Sequence, residues 1–242
     1  MGGGGKTTTM FVLAKELATK GHCVITTTTT KILEPSPLET EKLILNNDED
    51  ALLKELCQDI NNYQHITVAR RIISPSKLDG ITPEMAVRIG EIERVSQIII
   101  EADGAARHAL KAPRETEPVI PQNTTMVIAI VGIEAFGKKL EEEIVFRAEI
   151  AAKILNQPLG SVISAASIAE LITNPKGIAK GSPPNARIIP FINKVDLPKG
   201  LENARLVANA ILAKNHPAIE RVLLGQAQNP DPVIEVIHKE IA

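Results

Sequence analysis

The chain opens with four consecutive glycines followed by Lys-Thr-Thr, at residues 2–8. Apolar residues then recur at helical spacing as far as residue 20, and Gly21 marks the end of that segment. Glycines let backbone N–H groups surround phosphate oxygens without side-chain clashes, and the positive end of a helix dipole favours anions. This start therefore predicts a phosphate-binding loop that leads into a helix, rather than a flexible tail.

The residues of this loop have distinct expected roles. Lys6 is expected to reach the β- and γ-phosphates of a nucleotide, and the Thr7 hydroxyl is expected to bind Mg²⁺. The predicted nucleotide ligands here are Gly3, Gly4, Gly5, Lys6, Thr7 and Thr8.

The full loop pattern also has a glycine five positions before Gly5 and a strand ahead of it, whereas the chain begins at Met1. Either the true start lies upstream or the central strand has been lost. We expect the first strand to be missing from the chain as given, with roughly ten or more residues rich in Val, Ile or Leu encoded before Met1.

A second candidate site lies in residues 98–105, which read IIIEADGA. An apolar strand that ends in carboxylates and a glycine is what a Walker B site requires, because a carboxylate holds Mg²⁺ there and the glycine lets the backbone approach the γ-phosphate. Glu101 and Asp103 are two residues apart, so they point the same way if the strand continues. Either carboxylate can be the one that binds Mg²⁺. Gly104 is the glycine predicted to let the backbone approach the γ-phosphate.

The third motif is Asn-Lys-Val-Asp at residues 193–196, where another apolar segment ends. In this pattern the Asp196 carboxylate accepts two hydrogen bonds from guanine, the Lys194 stem packs over the base, and Asn193 ties its loop to the phosphate loop. Adenine has no 2-amino group and no proton at N1, so it would leave the carboxylate unsatisfied. The motif therefore predicts GTP, with ATP less favoured.

Two further features have open interpretations. Five consecutive threonines, residues 26–30, are consistent either with β-propensity alone or with a hydroxyl-lined switch that faces a ligand. Four cationic residues or histidines follow the acidic segment: Arg107, His108, Lys111 and Arg114. They form either a solvated charge run or a loop that reaches the nucleotide or an anionic substrate.

Short apolar runs alternate with amphipathic stretches, which predicts an α/β fold: one domain over residues 1–242 with a mostly parallel sheet and helices on both faces. The predicted strands cover residues 22–28, 65–69, 97–102, 126–132, 187–193 and 222–224. The predicted helices cover residues 6–20, 48–60, 82–95, 138–155, 164–172, 201–214 and 231–241. Pro190 suggests that its strand lies at an edge or ends there. Long loops are expected at residues 34–47, 111–123 and 173–185.

Composition limits the classes of partner and ligand that the chain is expected to bind. The chain has 27 Lys and Arg against 29 Asp and Glu, and only 2% aromatic residues, which disfavours a nucleic-acid binder. Two cysteines provide neither a disulfide framework nor a zinc quartet. There is no apolar run of membrane-spanning length and no signal-peptide pattern at the start. We therefore expect a cytoplasmic protein that needs no membrane.

With these motifs in hand, the chain resembles the YqeC family of selenium-dependent molybdenum hydroxylase accessory proteins over nearly its whole length. The resemblance rests on the segments GGGGKTTTM, ITTTTTKI, ARRI with KLDGITPE, IIIEADGAARHALKAP, VFRAE and FINKVD. It implies a P-loop NTPase related to metal-insertion GTPases. It also implies an accessory role in making or inserting a cofactor, with the client hydroxylase or its cofactor-assembly proteins as partners.

Together these observations predict a GTP-binding P-loop protein that uses Mg²⁺ and hydrolyses GTP slowly. The catalytic candidates are Lys6, Asp103 and Arg107, and the metal candidates are Thr7, Glu101 and Asp103. Catalysis would be electrostatic, with in-line attack by water. The alternatives are an ATP-using kinase or transferase that acts on a small anionic substrate, and a non-catalytic carrier of a cofactor or partner.

Overall fold

The computed structural model describes residues 1–239 and divides into two compact units. Unit 1 comprises Met1–Lys6, Ala105–Pro118 and the chain from Thr124 onward, and unit 2 comprises Thr7–Gly104 and Val119–Asn123. Each unit contains parallel strands flanked by helices, so the α/β class is confirmed. The single domain over residues 1–242 stays a prediction.

The helices are α1 (Lys6–Thr19), α2 (Glu49–Asp59), α3 (Pro83–Gly90), α4 (Ala148–Leu155), α5 (Ala165–Thr173) and α6 (Gly200–Ala213), with a short 3₁₀ helix at Ile133–Ala135. The first seven strands are β1 (Val24–Thr28), β2 (Lys31–Leu33), β3 (Lys42–Leu45), β4 (His65–Ala69), β5 (Arg71–Ser74), β6 (Lys77–Asp79) and β7 (Gln97–Glu101). The others are β8 (Leu110–Lys111), β9 (Met126–Gly132), β10 (Val145–Phe146), β11 (Arg187–Asn193), β12 (Arg221–Gly225) and β13 (Val233–His238).

Unit 2 is built on a fully parallel sheet of order β3-β4-β1-β7. Alternate strand residues face opposite sides, and the two sides carry different cores. Leu52 of α2 and Met85 of α3 pack with Ile25 and Ile66 on one side. Met10 and Phe11 of α1 pack on the other, together with the small antiparallel sheet β2-β6-β5. The polar ends of β1 and β7 therefore emerge from a buried framework.

Unit 1 is built on a sheet of order β13-β12-β11-β9, in which only the β12–β13 pairing is antiparallel. Helices α4, α5 and α6 supply alanine, isoleucine and leucine side chains to one large core against this sheet. The start of the chain runs beside β9, because Gly2 pairs with Ile130 in parallel and the Ile130 N–H donates to the Met1 carbonyl at 2.8 Å. A separate two-stranded parallel pair joins β8 to β10.

Most predicted elements are confirmed, and for three helices the N-cap explains where the helix starts. Asp48, Thr82 and Ser164 each accept a hydrogen bond from the first turn of the helix that follows, as N-capping residues do. The helix predicted over residues 82–95 ends earlier, at Gly90. Strands β4, β9 and β11 have the predicted bounds.

Two other predicted helices are also wrong in whole or in part. The segment predicted as the last helix, residues 231–241, instead contains β13, which is antiparallel to β12. Its β-branched residues alternate between Ile237, which packs on the core, and the exposed Val236. Residues 240 and 241 lie outside the described residues. The helix predicted from residue 138 begins only at Ala148, because Arg147 has a left-handed backbone with φ of 66°.

The prediction that Pro190 marks an edge or a strand end is also wrong, because β11 pairs with β9 on one side and β12 on the other. Backbone groups two residues apart in a strand face the same neighbour, so the positions of Ile188 and Pro190 both face β12. The Ile188 N–H donates to the carbonyl of Ala218, which precedes β12. The ladder with β12 begins only at Phe191. The missing N–H of Pro190 thus falls where that ladder starts, which makes proline tolerable.

Among residues 1–239, no helix has the length and apolar character that crossing a membrane requires.

Candidate functional site

The glycine loop of unit 1 has a backbone that only glycine accommodates well. Gly2, Gly4 and Gly5 have φ of 95°, 72° and 121°, in the range that side chains disfavour. A Cβ at Gly3 would lie 2.6 Å from the His108 carbonyl oxygen, and one at Gly4 would overlap the backbone of Gly132. The loop is therefore held tightly against the ends of its neighbours.

Part of the hydrogen-bonding capacity of this loop is used within unit 1. The Gly3 N–H donates to Ile130 and the Gly4 N–H to His108, at 2.9 and 2.8 Å. The buried Lys6 ammonium donates to the Gly2 carbonyl at 2.9 Å, so the lysine side chain folds back over the loop. The glycine loop thus already surrounds the Lys6 ammonium.

The end of β11 meets the glycine loop through Asn193. Its side-chain amide donates to the Gly4 carbonyl at 2.7 Å, and its oxygen accepts the Ala227 N–H at 2.9 Å. Asn193 is 3% exposed, and its amide would overlap closely with any Cβ at Gly5. The buried asparagine therefore joins three segments: the glycine loop, the end of β11 and the turn after β12.

The other two members of this motif are more accessible. Lys194 has a left-handed backbone with φ of 66°, and its ammonium forms an ion pair with Glu134 in the 3₁₀ helix after β9. Asp196 lies in an exposed turn two residues further on. Within unit 1 the structure thus brings Asn193 and Lys194 to the carboxyl ends of parallel strands, where α/β proteins commonly bind ligands.

In unit 2, the side chains of Thr7 and Glu101 are in direct contact. The Thr7 hydroxyl, in the first turn of α1, donates to Oε2 of Glu101 at 2.6 Å. Glu101 is the last residue of β7 and is buried. Asp103 is 1% exposed, and a Cβ at Gly104 would meet only open space.

These donors suit Mg²⁺, which is commonly bound by one or two protein oxygens together with phosphate oxygens and water. A protein-only metal cage is not needed for such a site. Within the described part of the chain, no group of three or more His, Cys, Asp or Glu side chains is placed to hold a metal.

The threonine run of unit 2 makes bonds inside its own sheet. The Thr26 hydroxyl contacts Nε2 of His65, and those of Thr27 and Thr28 donate to the carbonyls of Val68 and Glu101. Burial lowers the pKa of His65, because it disfavours the charged imidazole. These bonds favour the structural interpretation for residues 26–28.

The cationic residues after Gly104 do not form one cluster in unit 1. Ala106 and the exposed Arg107 both have left-handed backbones, with φ of 45° and 66°, a strain of the kind found at functional loops. Arg114 is also exposed. His108 stacks on Phe146, with ring centroids 5.5 Å apart.

Lys111 has another environment. It is fully buried and donates to Glu117 at 2.7 Å, and Arg147 binds both oxygens of the same carboxylate. Burial raises the pKa of Glu117, but hydrogen bonds and charge from Arg147 and Lys111 outweigh it and lower the pKa to about 2. This buried group supports the segment from which the Arg107 loop extends.

Sequence reasoning did not select three residues that the structure places near the candidate site: Glu117, Arg147 and Glu134. Arg147 and Glu117 come from distant segments, so their pairing has no local signal. Glu134 did have one: it follows the apolar strand β9 much as Glu101 ends the apolar strand β7.

The fold and these contacts define an α/β protein with parallel sheets and a tight glycine loop at the start of a helix. A family model described as YqeC protein matches residues 1–149. The protein named "Uncharacterized protein YqeC" from Escherichia coli strain K12 is 30% identical over 230 residues, which cover 94% of this chain and 86% of that protein. The chain therefore belongs to the YqeC family, as its motifs predicted. No solved structure gives a significant match.

Proposed function

We propose that this chain is a P-loop protein that binds GTP with Mg²⁺ and hydrolyses it slowly. The observation that carries the proposal is the contact of Asn193 with Gly4 at 2.7 Å. It connects the Asn-Lys-x-Asp sequence, which suits guanine, to the glycine loop, which suits phosphate. A nucleotide needs both recognition elements at one edge of a sheet, and unit 1 has both at the carboxyl ends of β9 and β11.

The phosphates would be held by Lys6 and by amides at the start of α1. Thr7 and Thr8 belong to the first helical turn, whose N–H groups have no acceptor within the helix. Lys6 now donates to Gly2, a neutral carbonyl, and a phosphate oxygen is a stronger, charged acceptor for the same ammonium. Triphosphate binding would therefore draw Lys6 from the loop to the ligand.

Glu101 is the carboxylate that we assign to Mg²⁺, because it already accepts the Thr7 hydroxyl. The cation supplies charge that offsets the phosphates when it is bound. Thr7 and Glu101 would orient its coordination, directly or through water, and the buried Asp103 would act on the attacking water or on the coordination shell. Arg107 is the candidate for stabilising negative charge on the γ-phosphate, since it lies on the strained loop that precedes His108.

Asp196 would provide the choice of base. Its exposed carboxylate can accept from the N1–H and the 2-amino group of guanine, while the Lys194 stem covers the ring. Adenine has neither of these two donors. With adenine bound, the Asp196 carboxylate would lose its water and gain no hydrogen bond in return.

The wider role that we propose is that of an accessory factor in maturing a selenium-dependent molybdenum hydroxylase. This role is what the resemblance to the YqeC family implies, and the chain belongs to that family. The partner would be the client hydroxylase or a protein that assembles its cofactor.

Calorimetric titration of GTP with Mg²⁺ tests the nucleotide assignment. Lys6→Ala should weaken GTP binding about ten- to a hundredfold, because a charge-assisted hydrogen bond contributes roughly 1.5–3 kcal/mol. Lys15→Ala is the matched control, since Lys15 is an exposed lysine on the same helix. Equal GTP affinity of the two variants would overturn the phosphate-loop assignment. Labelled γ-phosphate then separates the reaction classes: a GTPase releases phosphate, whereas a kinase labels a small anionic acceptor.

A further inference from the structure

Two carboxylates of unit 1, Glu117 and Glu134, form partly buried ion pairs and differ in whether both of their oxygens receive a hydrogen bond. Glu117 receives hydrogen bonds on both oxygens, from Arg147 and Lys111. Glu134 pairs through Oε1 with Lys194, while its Oε2 is buried and has no hydrogen-bond donor among residues 1–239. A carboxylate with one buried oxygen that receives no hydrogen bond contributes little to stability. The ion pair of Glu134 with Lys194 therefore needs an explanation other than stabilising the fold.

The location of the pair suggests one. Glu134 lies two residues after the end of β9 and Lys194 directly after β11, and these strands are adjacent, with Gly132 opposite Asn193 in the register. A Cβ at Gly132 would overlap the Glu134 carboxylate, and a Cβ at Gly4 would overlap Gly132. The ion pair therefore borders the glycine loop on the side of the Asn-Lys-x-Asp motif.

The pair also restrains a flexible side chain. Lys194 is 44% exposed, and its long stem would otherwise sample many rotamers. With its ammonium fixed on Glu134, the stem is confined before any ligand arrives, and less freedom is lost on binding. The left-handed backbone at Lys194 holds the other end of the same side chain.

We propose that Glu134 is a positioning residue for base recognition: it holds the Lys194 ammonium so that the lysine stem lies where guanine packs. This inference rests on the proposed function. It assigns Glu134 no contact with the phosphates, so its removal should affect GTP and GDP equally.

A double-mutant cycle tests the proposal by calorimetry. Glu134→Ala should weaken both GTP and GDP about five- to tenfold and leave the ratio of their affinities unchanged. In a Lys194→Ala background the same substitution should have no further effect, because Glu134 acts through that lysine. Glu134→Gln keeps an acceptor for the ammonium and should recover part of the loss. Glu235→Ala, which removes an exposed ion pair with Arg205 in the same unit, should leave both affinities unchanged.

Three outcomes would overturn the inference: no loss of affinity in Glu134→Ala, an equal loss in the Lys194→Ala background, or a loss confined to GTP. If any of these occurs while Lys6→Ala still weakens GTP binding about tenfold or more, the proposed function stands and only the role of Glu134 falls. If the unaltered protein binds no GTP, both proposals fail together. Urea unfolding of each variant identifies a loss of affinity that comes from a loss of folding.

Discussion

Asn193→Ala should both destabilise unit 1 and weaken nucleotide binding. The asparagine donates to the Gly4 carbonyl and accepts from the Ala227 N–H, at 2.7 and 2.9 Å, and all of this is buried. Alanine makes neither hydrogen bond, and it fills too little space to replace the amide. The glycine loop would lose the contact that fixes it to the end of β11.

The size of the effect follows from the two groups left behind. Each buried polar group that loses its partner costs about 1–3 kcal/mol, and water can partly replace a partner near the loop. We therefore expect the free energy of unfolding to fall by about 2–4 kcal/mol. GTP affinity should fall about tenfold or more, because the loop must be ordered again when the ligand binds.

Urea unfolding and GTP titration measure the two effects. Asn209→Ala is the control, since Asn209 is an exposed residue of α6, where such a change is usually worth less than about 0.5 kcal/mol. If Asn193→Ala matched this control in both stability and GTP affinity, Asn193 would not couple the two motifs.

Two further predictions concern the carboxylates. Glu117→Gln should lower the free energy of unfolding by about 2 kcal/mol at neutral pH, once the roughly 3 kcal/mol implied by its pKa of about 2 is discounted for solvent screening. Because the folded pKa is depressed below the ordinary 4.5, this contribution is present above pH 4.5 and should disappear as the pH falls toward 2, so the stabilities of variant and unaltered protein should converge there in urea titrations. Glu101→Gln should raise the Mg²⁺ concentration needed for tight GTP binding about tenfold, whereas Asp103→Asn should mainly slow phosphate release. A larger Mg²⁺ shift in the Asp103 variant would reverse these assignments.

The sequence predicted elements best where local chemistry decides them. The caps at Asp48, Thr82 and Ser164 and the apolar strand β9 are determined by neighbouring residues, and the structure confirms them. The failure at β13 has the opposite cause. The Asp-Pro pair is typical of a helix start. The segment nevertheless forms a strand, because it pairs with β12, and that pairing depends on the tertiary fold rather than on neighbouring residues.

The same distinction applies to the candidate site. Glycine spacing and the Asn-Lys-x-Asp order predicted residues that the structure places in contact, Gly4 and Asn193. The partners of Lys194 and Lys111, which are Glu134 and Glu117, depend on which strand ends and loops meet in the fold. A local pattern can mark Glu134 as a carboxylate that follows an apolar strand, but it does not say which lysine pairs with that carboxylate, so the pairings needed the structure.

The most direct test of the account is a competition titration of GTP, XTP and ATP against the unaltered protein and Asp196→Asn. The unaltered protein should prefer GTP clearly over ATP. The variant should lose roughly 2–4 kcal/mol for GTP, gain preference for XTP, and leave ATP almost unchanged, because adenine never used the Asp196 carboxylate. If the unaltered protein bound ATP as well as GTP, or the variant lost nothing for GTP, residues 193–196 would be only a turn after β11. The claim that this chain reads guanine would then be contradicted.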